Sequence, residues 1–262
     1  MKSNLLILGV SAAILLPLCA QSAPVTGWSI GLNNAGLVSL TGADTASPTL
    51  GDGTAEDADN TAIWAAFPSV TLAVGEQLTL SGSVQMLNSV GLASAGDLAN
   101  NFRFGIFDVN GSSDVNGWLG YYASAPNAAT ASGVRRRSSS AFYSQTGATL
   151  LYANSLVDTT KTIVDATYDF SFAYERTATG IKLTTTMSNP LGYEIAPLTF
   201  EDTGATTFTF NRVGFLAGGA LNADSFQFNN IDVSLAVVPE PGTGMLALLG
   251  AALLVYRRSR HS

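Results

Sequence analysis

In the stretch DVNGSSDVNG, oxygen-bearing side chains fall at alternate positions: Asp108, Asn110, Ser112 and Asp114. Hard oxygen ligands at that spacing are what a calcium loop supplies, since Ca2+ is held by carboxylates, amides and carbonyls. The stretch lacks the glycine spacing and the closing bidentate glutamate of an EF-hand. Asn-Gly beside Asp and Ser is also the composition of a tight β-turn, so the turn and the ion site both stand as expectations. A second acidic stretch, GDGTAEDADN, offers Asp52, Glu56, Asp57 and Asp59 to the same ion. Calcium is the one cofactor these residues suggest.

A different chemistry is carried by GVRRRSSS, where Arg135, Arg136 and Arg137 stand together. Guanidinium forks match the oxygens of carboxylate and sulfate groups, so the cluster suits an acidic polysaccharide; the alternative is a solvated loop. Nearby, GWLGYYA holds Trp118, Tyr121 and Tyr122, whose rings could stack on a sugar. Aromatic residues in strands more often serve the core, and Tyr121 and Tyr122, being adjacent, must face opposite ways, so at most one need be exposed.

Cys19 is the only cysteine and His261 the only histidine, and each lies near an end of the chain. A mature domain without them has no disulfide, no Cys/His zinc site, no thiol nucleophile and no Ser-His-Asp triad. No catalytic residue is expected. The 262 residues carry a formal charge of −7, and between Ala23 and Pro241 eight basic residues face all 19 acidic ones. A broad basic surface for nucleic acid is absent from such a composition.

These side chains must be positioned by strands. In TYDFSFAYE, Tyr168, Phe170, Phe172 and Tyr174 alternate with smaller or polar residues, as on a strand with one buried face. Leu78, Leu80, Val84 and Met86 repeat the pattern, as do Phe102, Phe104 and Ile106, and then Ile181, Leu183, Thr185 and Met187. WSIGL, TAIWAAF, WLGYYA, TLLY, TTFTFNRVGFL and SFQFNNIDVSLAV are further strand candidates, and ERTATG would turn a hairpin between the Tyr168 and Ile181 strands. Short strands, frequent Gly/Asn/Asp/Ser turns and no long 3.6-residue period predict an all-β, two-sheet antiparallel sandwich.

Both ends of the chain differ from this middle. Residues 1–22 have Lys2, an apolar run from Leu5 to Leu18, and small residues after it, the pattern of a secretory signal peptide. Small Ala20 and Ser22 place the cut after Ser22, with Ala20 as the alternative, and the signal helix precedes a domain of residues 23–236. Leu18 stands before Cys19 where lipidation requires a small residue, which argues against a lipoprotein. At the other end, residues 237–262 hold Pro239-Glu240-Pro241, an apolar run and an arginine cluster. Met245 to Tyr256 is 12 residues, about 18 Å of helix, short of the ~30 Å hydrocarbon layer. This short hydrophobic helix can enter a bilayer only marginally, with Arg257, Arg258 and Arg260 held on the cytoplasmic side.

The order of Pro-Glu-Pro, short apolar helix and terminal arginines resembles the PEP-CTERM sorting signal of Gram-negative bacteria. The resemblance implies recognition through Pro239, Glu240, Pro241, Arg257, Arg258 and Arg260 by exosortase, an integral-membrane cysteine protease. It also implies export through the general secretory pathway, a transient membrane anchor, and a place at the cell surface or in an extracellular matrix of biofilm or floc. The segments LAVGEQLTLSGSVQML, FRFGIFDVNG, GWLGYYA and FNRVGFLAGGALNADSFQFNNIDVSL resemble concanavalin A-like, laminin-G-like jelly rolls, implying that fold and glycan binding. Hydrolases of that fold carry paired carboxylates on one strand as E-x-D-x-x-E. That string is missing here, and Glu175, Glu194 and Glu201 are scattered. The expected protein is therefore a non-enzymatic partner of extracellular polysaccharide; a matrix protein without a specific ligand and a secreted glycan-active enzyme are the alternatives.

Overall fold

Residues along a strand point alternately to its two faces, so strands with one apolar face must pair their sheets face to face. The computed structural model describes residues 21–31, 38–51, 61–87, 102–125, 132–137, 148–161, 163–217 and 223–238. Within them the chain forms β1 (Gln21–Pro24), β2 (Ser29–Gly31), β3 (Leu40–Thr41), β4 (Thr49–Leu50), β5 (Thr61–Thr71), β6 (Glu76–Leu87), β7 (Phe102–Asp108) and β8 (Leu119–Ser124). It continues with β9 (Ser132–Arg137), β10 (Ala148–Asn154), β11 (Ala166–Arg176), β12 (Ile181–Ser188), β13 (Leu198–Asp202), β14 (Thr209–Ala217) and β15 (Ser225–Val237). A single 3-10 turn, Val115–Gly117, is the only helical element among the described residues.

Every pairing is antiparallel. Sheet A runs β13-β12-β11-β6-β15-β4-β3 with β1 also on β15, and sheet B runs β10-β9-β8-β7-β14-β5-β2. This is the two-sheet antiparallel sandwich that the alternation predicts. The signal helix and the C-terminal hydrophobic helix fall on residues outside the described ones, as do the acidic stretch Asp52 to Asp59 and the sorting residues from Pro239 onward.

The alternating residues meet between the sheets. Leu78, Leu80, Val84 and Met86 of β6, Tyr168, Phe172 and Tyr174 of β11, and Phe102, Phe104 and Ile106 of β7 are all fully buried in one cluster. Phe102 stacks on Phe226 (5.9 Å between centroids), and Phe170 meets Phe215 edge-on (5.5 Å). Aromatic pairs of this kind add about 0.5–1.5 kcal/mol beyond the area they bury. Tyr174 also ties the layers by hydrogen bonds: its hydroxyl accepts from the Ile106 N–H (2.9 Å) and donates to the Tyr121 carbonyl (3.0 Å). Burial pushes that phenol well above its ordinary pKa, so it stays a donor.

The β11–β12 hairpin turns at Thr177–Gly180, where ERTATG predicts it. The arginine stretch is not a loop: it is β9, paired with β8 on one side and β10 on the other. Three consecutive strand residues cannot share a face, so the cluster is split, with Arg136 opposite in direction to Arg135 and Arg137.

Candidate functional site

The split arginines lead to the outer face of sheet B, the face turned away from sheet A. Because Phe102, Phe104 and Ile106 point inward, Arg103, Gly105 and Phe107 of β7 point outward. Register then aligns the row Arg135 (β9), Tyr122 (β8), Gly105 (β7), Gly214 (β14) and Trp64 (β5) across five strands. A second row holds Arg137, Gly120, Phe107 and Arg212. The two central glycines leave a trough between Tyr122 and Trp64. It is nearly filled, with about 10 Å³ left among Arg103, Phe107, Tyr122 and Leu216, room for about one water.

Aromatic rings and guanidinium groups alternate over this face. Trp64 and Trp118 meet edge-on at 5.5 Å, and Phe107 lies 6.3 Å from Trp118. The Arg103 guanidinium sits 5.9 Å from the Tyr122 ring centre and that of Arg137 sits 5.7 Å from the Phe107 ring centre, within cation–π range. Arg137 donates through Nη2 to the Val115 carbonyl (3.0 Å), and burial pushes its pKa down to about 10. Trp64 covers β2 so closely that a Cβ at Gly31 would fall within its ring.

The structure sorts the predicted residues by depth. Trp118 is 4% exposed, Tyr121 1% and Arg137 0%, so these three are packed under the surface; Arg135 and Arg136 are half-buried. Tyr121 points between the sheets, where its hydroxyl donates to Asp202 Oδ2 (2.9 Å). Arg136 donates through Nη1 to both Asp202 oxygens (2.7 and 3.0 Å), and the Gly204 N–H donates to Oδ1 (3.0 Å). This cross-sheet network, centred on Asp202 of β13, closes one side of the sandwich. Tyr122, the third ring of the expected stacking platform, is 2% exposed and packs with Phe107 and Trp118. Arg103 and Trp64 carry no sequence signal of a binding role, although the inward run of Phe102, Phe104 and Ile106 fixes Arg103 on the opposite face.

The oxygen-rich stretch forms a chain of turns. Asp108 accepts from the Asn110 N–H (2.9 Å) and from Thr207 Oγ1 (2.9 Å), Ser112 Oγ accepts from the Asp114 N–H (3.1 Å), and Asp114 accepts from the Asn116 N–H (2.9 Å). Asn110 and Gly111 take positive φ, as the turn requires. Among the described residues no three His, Cys, Asp or Glu side chains are gathered so that they could hold a metal ion. The scattered carboxylates have separate partners: Glu175 pairs with Lys182, and Glu201 accepts from Thr177 (2.6 Å) and from Thr179. Those two threonine hydroxyls hold the Glu201 carboxyl below its ordinary pKa.

Charge follows the layers. The strands of sheet B contain five arginines (Arg103, Arg135, Arg136, Arg137 and Arg212) and one acid, Asp108. Those of sheet A contain six acids (Glu76, Asp169, Glu175, Glu201, Asp202 and Asp232) and two bases, Arg176 and Lys182. An acidic protein thus keeps one cationic layer.

At the carboxyl end, β15 runs to Val237, and the Val238 N–H still donates to the Gly75 carbonyl (2.7 Å). Residues 237–260 match the PEP-CTERM protein-sorting motif. The chain carries a PEP-CTERM sorting motif. It marks an exported protein sorted to the cell envelope, and it begins on the last residue of β15. Among the described residues no helix is long and apolar enough to cross a membrane. No curated protein sequence matches the chain. In structure the domain is similar to lectin I from Ulex europaeus in complex with the methyl glycoside of α-L-fucose: TM-score 0.53, 10% identity, covering 84% of this chain and 98% of that one. It is also similar to basic winged bean lectin with Tn-antigen, with TM-score 0.50, 10% identity, and coverage of 84% and 99%. The domain delivered by the PEP-CTERM motif therefore has the concanavalin A-like jelly-roll fold of legume lectins.

Proposed function

We propose that this is an exported carbohydrate-binding protein whose cationic layer, sheet B, engages acidic polysaccharide outside the cell. The observation that carries the proposal is the gathering of five of the chain's arginines on the strands of that layer, with Arg103, Arg135 and Trp64 partly exposed on its outer face above the buried Tyr122. Arginine forks recognise carboxylate and sulfate groups in pairs, and ring faces stack on sugars. Trp118, Tyr121 and Arg137 then support the surface from beneath, while Arg135, with Arg103, meets the ligand. Partners of this kind are the exopolysaccharides of biofilm or floc.

Delivery belongs to the same proposal. Exosortase recognises Pro239, Glu240 and Pro241 while the apolar run from Met245 and the arginines Arg257, Arg258 and Arg260 hold the tail in the membrane, and processing then frees the domain. Finding the intact Arg257–Ser262 peptide in the extracellular fraction would contradict processing. Calcium held at Asp108, Asn110, Ser112 and Asp114 would raise Tm when added and lower it with chelator; an unchanged Tm removes it.

The deciding experiment measures retention of the purified protein on an acidic polysaccharide and on a neutral one of similar size, at low and at raised salt. Retention on the acidic polymer alone, weakened by salt, is expected from partly exposed charges. Equal retention on both, or on neither, overturns the acidic-ligand proposal. No retention on either favours a matrix protein without a specific ligand, an outcome in keeping with the depth of Trp118, Tyr121 and Arg137. Release of reducing sugar would instead indicate a glycan-active enzyme.

A further inference from the structure

The ends of the domain meet. β1 runs antiparallel to the close of β15, setting Gln21 opposite Leu235, Ser22 opposite Ser234, Ala23 opposite Val233 and Pro24 opposite Asp232. Opposed residues in such a pair have Cα atoms about 5 Å apart. Pro239 follows directly on Val238, which is itself bonded to Gly75. The leader before β1 and the sorting tail after β15 therefore leave the domain at one pole, from neighbouring strands.

This pairing bears on where the leader is removed. The preference of leader peptidases for small residues at the first and third positions before the cut favours cleavage after Ser22, with Ala20 two places earlier. That cut would remove two of the four residues of β1. The remnant would be Ala23 and Pro24, and Pro24 has no N–H to give to the ladder. The bond from Ser22 Oγ to Asp232 Oδ2 (2.7 Å) would go with it. Gln21 would leave the wall of a cleft of about 370 Å³ that is also lined by Phe67, Val70, Leu78, Val233 and Leu235. Ser234 and Leu235 would then stand on an open sheet edge immediately before the sorting motif, and open edges invite pairing with other chains.

We propose that the precursor is cut between Ala20 and Gln21, and that the new N-terminal strand Gln21–Pro24 closes the sheet edge beside the sorting motif. The step is a hydrolysis. Water oxygen joins the carbonyl carbon of Ala20, the amide bond breaks, Ala20 leaves as a carboxylate and Gln21 keeps the nitrogen as its α-amino group. Ala20 supplies the small residue before the cut, and although Leu18 is large for the third position, the pairing of Gln21 and Ser22 decides against the later site. The inference rests on the export of the chain with a cleaved leader.

Mass spectrometry of the N-terminal peptide, taken from full-length protein recovered from the envelope and medium, tests it. A terminus at Gln21, free or cyclised to pyroglutamate with loss of ammonia, is the expected result. A terminus at Ala23 or later overturns the proposed site and leaves export standing, whereas an intact Met1 overturns the cleaved leader as well. A precursor lacking only Gln21 and Ser22 tests the role of the strand. It should still be exported and folded, with Tm lower by about 2–6 °C and faster proteolysis near Leu235; an unchanged Tm and cleavage rate would overturn the edge-closing role.

Discussion

The two sheets of this sandwich share one core but present opposite outer faces. On sheet A, register sets Ser81, Ser171 and Thr186 in one row and Ser234, Thr79, Ala173, Thr184 and Thr199 in the next, a face of small hydroxyls with carboxylates around it. On sheet B the equivalent rows carry Arg135, Tyr122 and Trp64, then Arg137, Phe107 and Arg212. Core packing imposes neither composition, because both sheets fill the same interior with the same alternation. The difference lies on the outer faces, where Phe107, Trp118, Tyr122 and Leu216 of the sheet B side pack into a second apolar cluster with arginines at its margin. Short hydroxyl side chains hold water and offer little area for stacking, while guanidinium and ring faces offer both charge and a flat apolar surface.

The contrast can be broken by substitution, and the largest effect is expected where the two sheets are tied. Asp202→Ala would leave Arg136 and the Tyr121 hydroxyl without their carboxylate in a nearly closed site, a loss of about 3–5 kcal/mol. Lys182→Ala on the open face of sheet A, which breaks the pair with Glu175, should cost under about 1 kcal/mol. Chemical denaturation of both variants checks the difference, and equal losses would mean the Asp202 network is not the stronger tie. Next comes Tyr174→Phe, which strips the Ile106 N–H and Tyr121 carbonyl of a buried partner and should cost about 1–3 kcal/mol; a change near zero would show that the backbone groups find each other instead.

A smaller effect, visible in binding and not in folding, separates the faces directly. Arg135→Ala should weaken retention on acidic polysaccharide about tenfold, some 1.4 kcal/mol, while Lys182→Ala leaves it unchanged. Identical loss from both would place the ligand elsewhere. The smallest effect is a titration on sheet A. Glu201, held below its ordinary pKa by Thr177 and Thr179, favours the fold above the unfolded carboxylate pKa, and that contribution is lost as pH falls through its lowered folded value. In Thr177→Val with Thr179→Val its pKa should return toward the ordinary glutamate value, followed by NMR; a pKa that stays low would assign the shift to another cause.

Much of the fold was legible because burial on one face leaves a period of two. Phe102/Phe104/Ile106, Leu78/Leu80/Val84/Met86 and the Tyr168–Tyr174 set all lie inward as the alternation predicts. The short strands β1, β3, β4 and β13 have too few residues to show a period, and β1 and β4 are held by β15, distant in sequence. GVRRR was misleading for a different reason: composition suggested one cluster, whereas strand geometry divides it, sending Arg136 to Asp202 across the sandwich and Arg135 outward. Trp118 and Tyr122 pack into a second, smaller apolar cluster on the outside of sheet B, with Phe107, Val115 and Leu216, that no local pattern announces. Legibility was greatest at the carboxyl end, where the sorting motif is linear and needs no fold to be recognised.

The separation of charge between the layers has one more consequence. Four net positive charges on the strands of one sheet and four net negative on the other, about 10 Å apart, make a moment on the order of 200 debye across the thickness of the domain. Near a polyanionic matrix such a body feels a torque before it feels a contact. The torque turns the arginine layer toward the polymer and the carboxylate layer away, so that, on the proposed function, the first collision would already be made by the binding face.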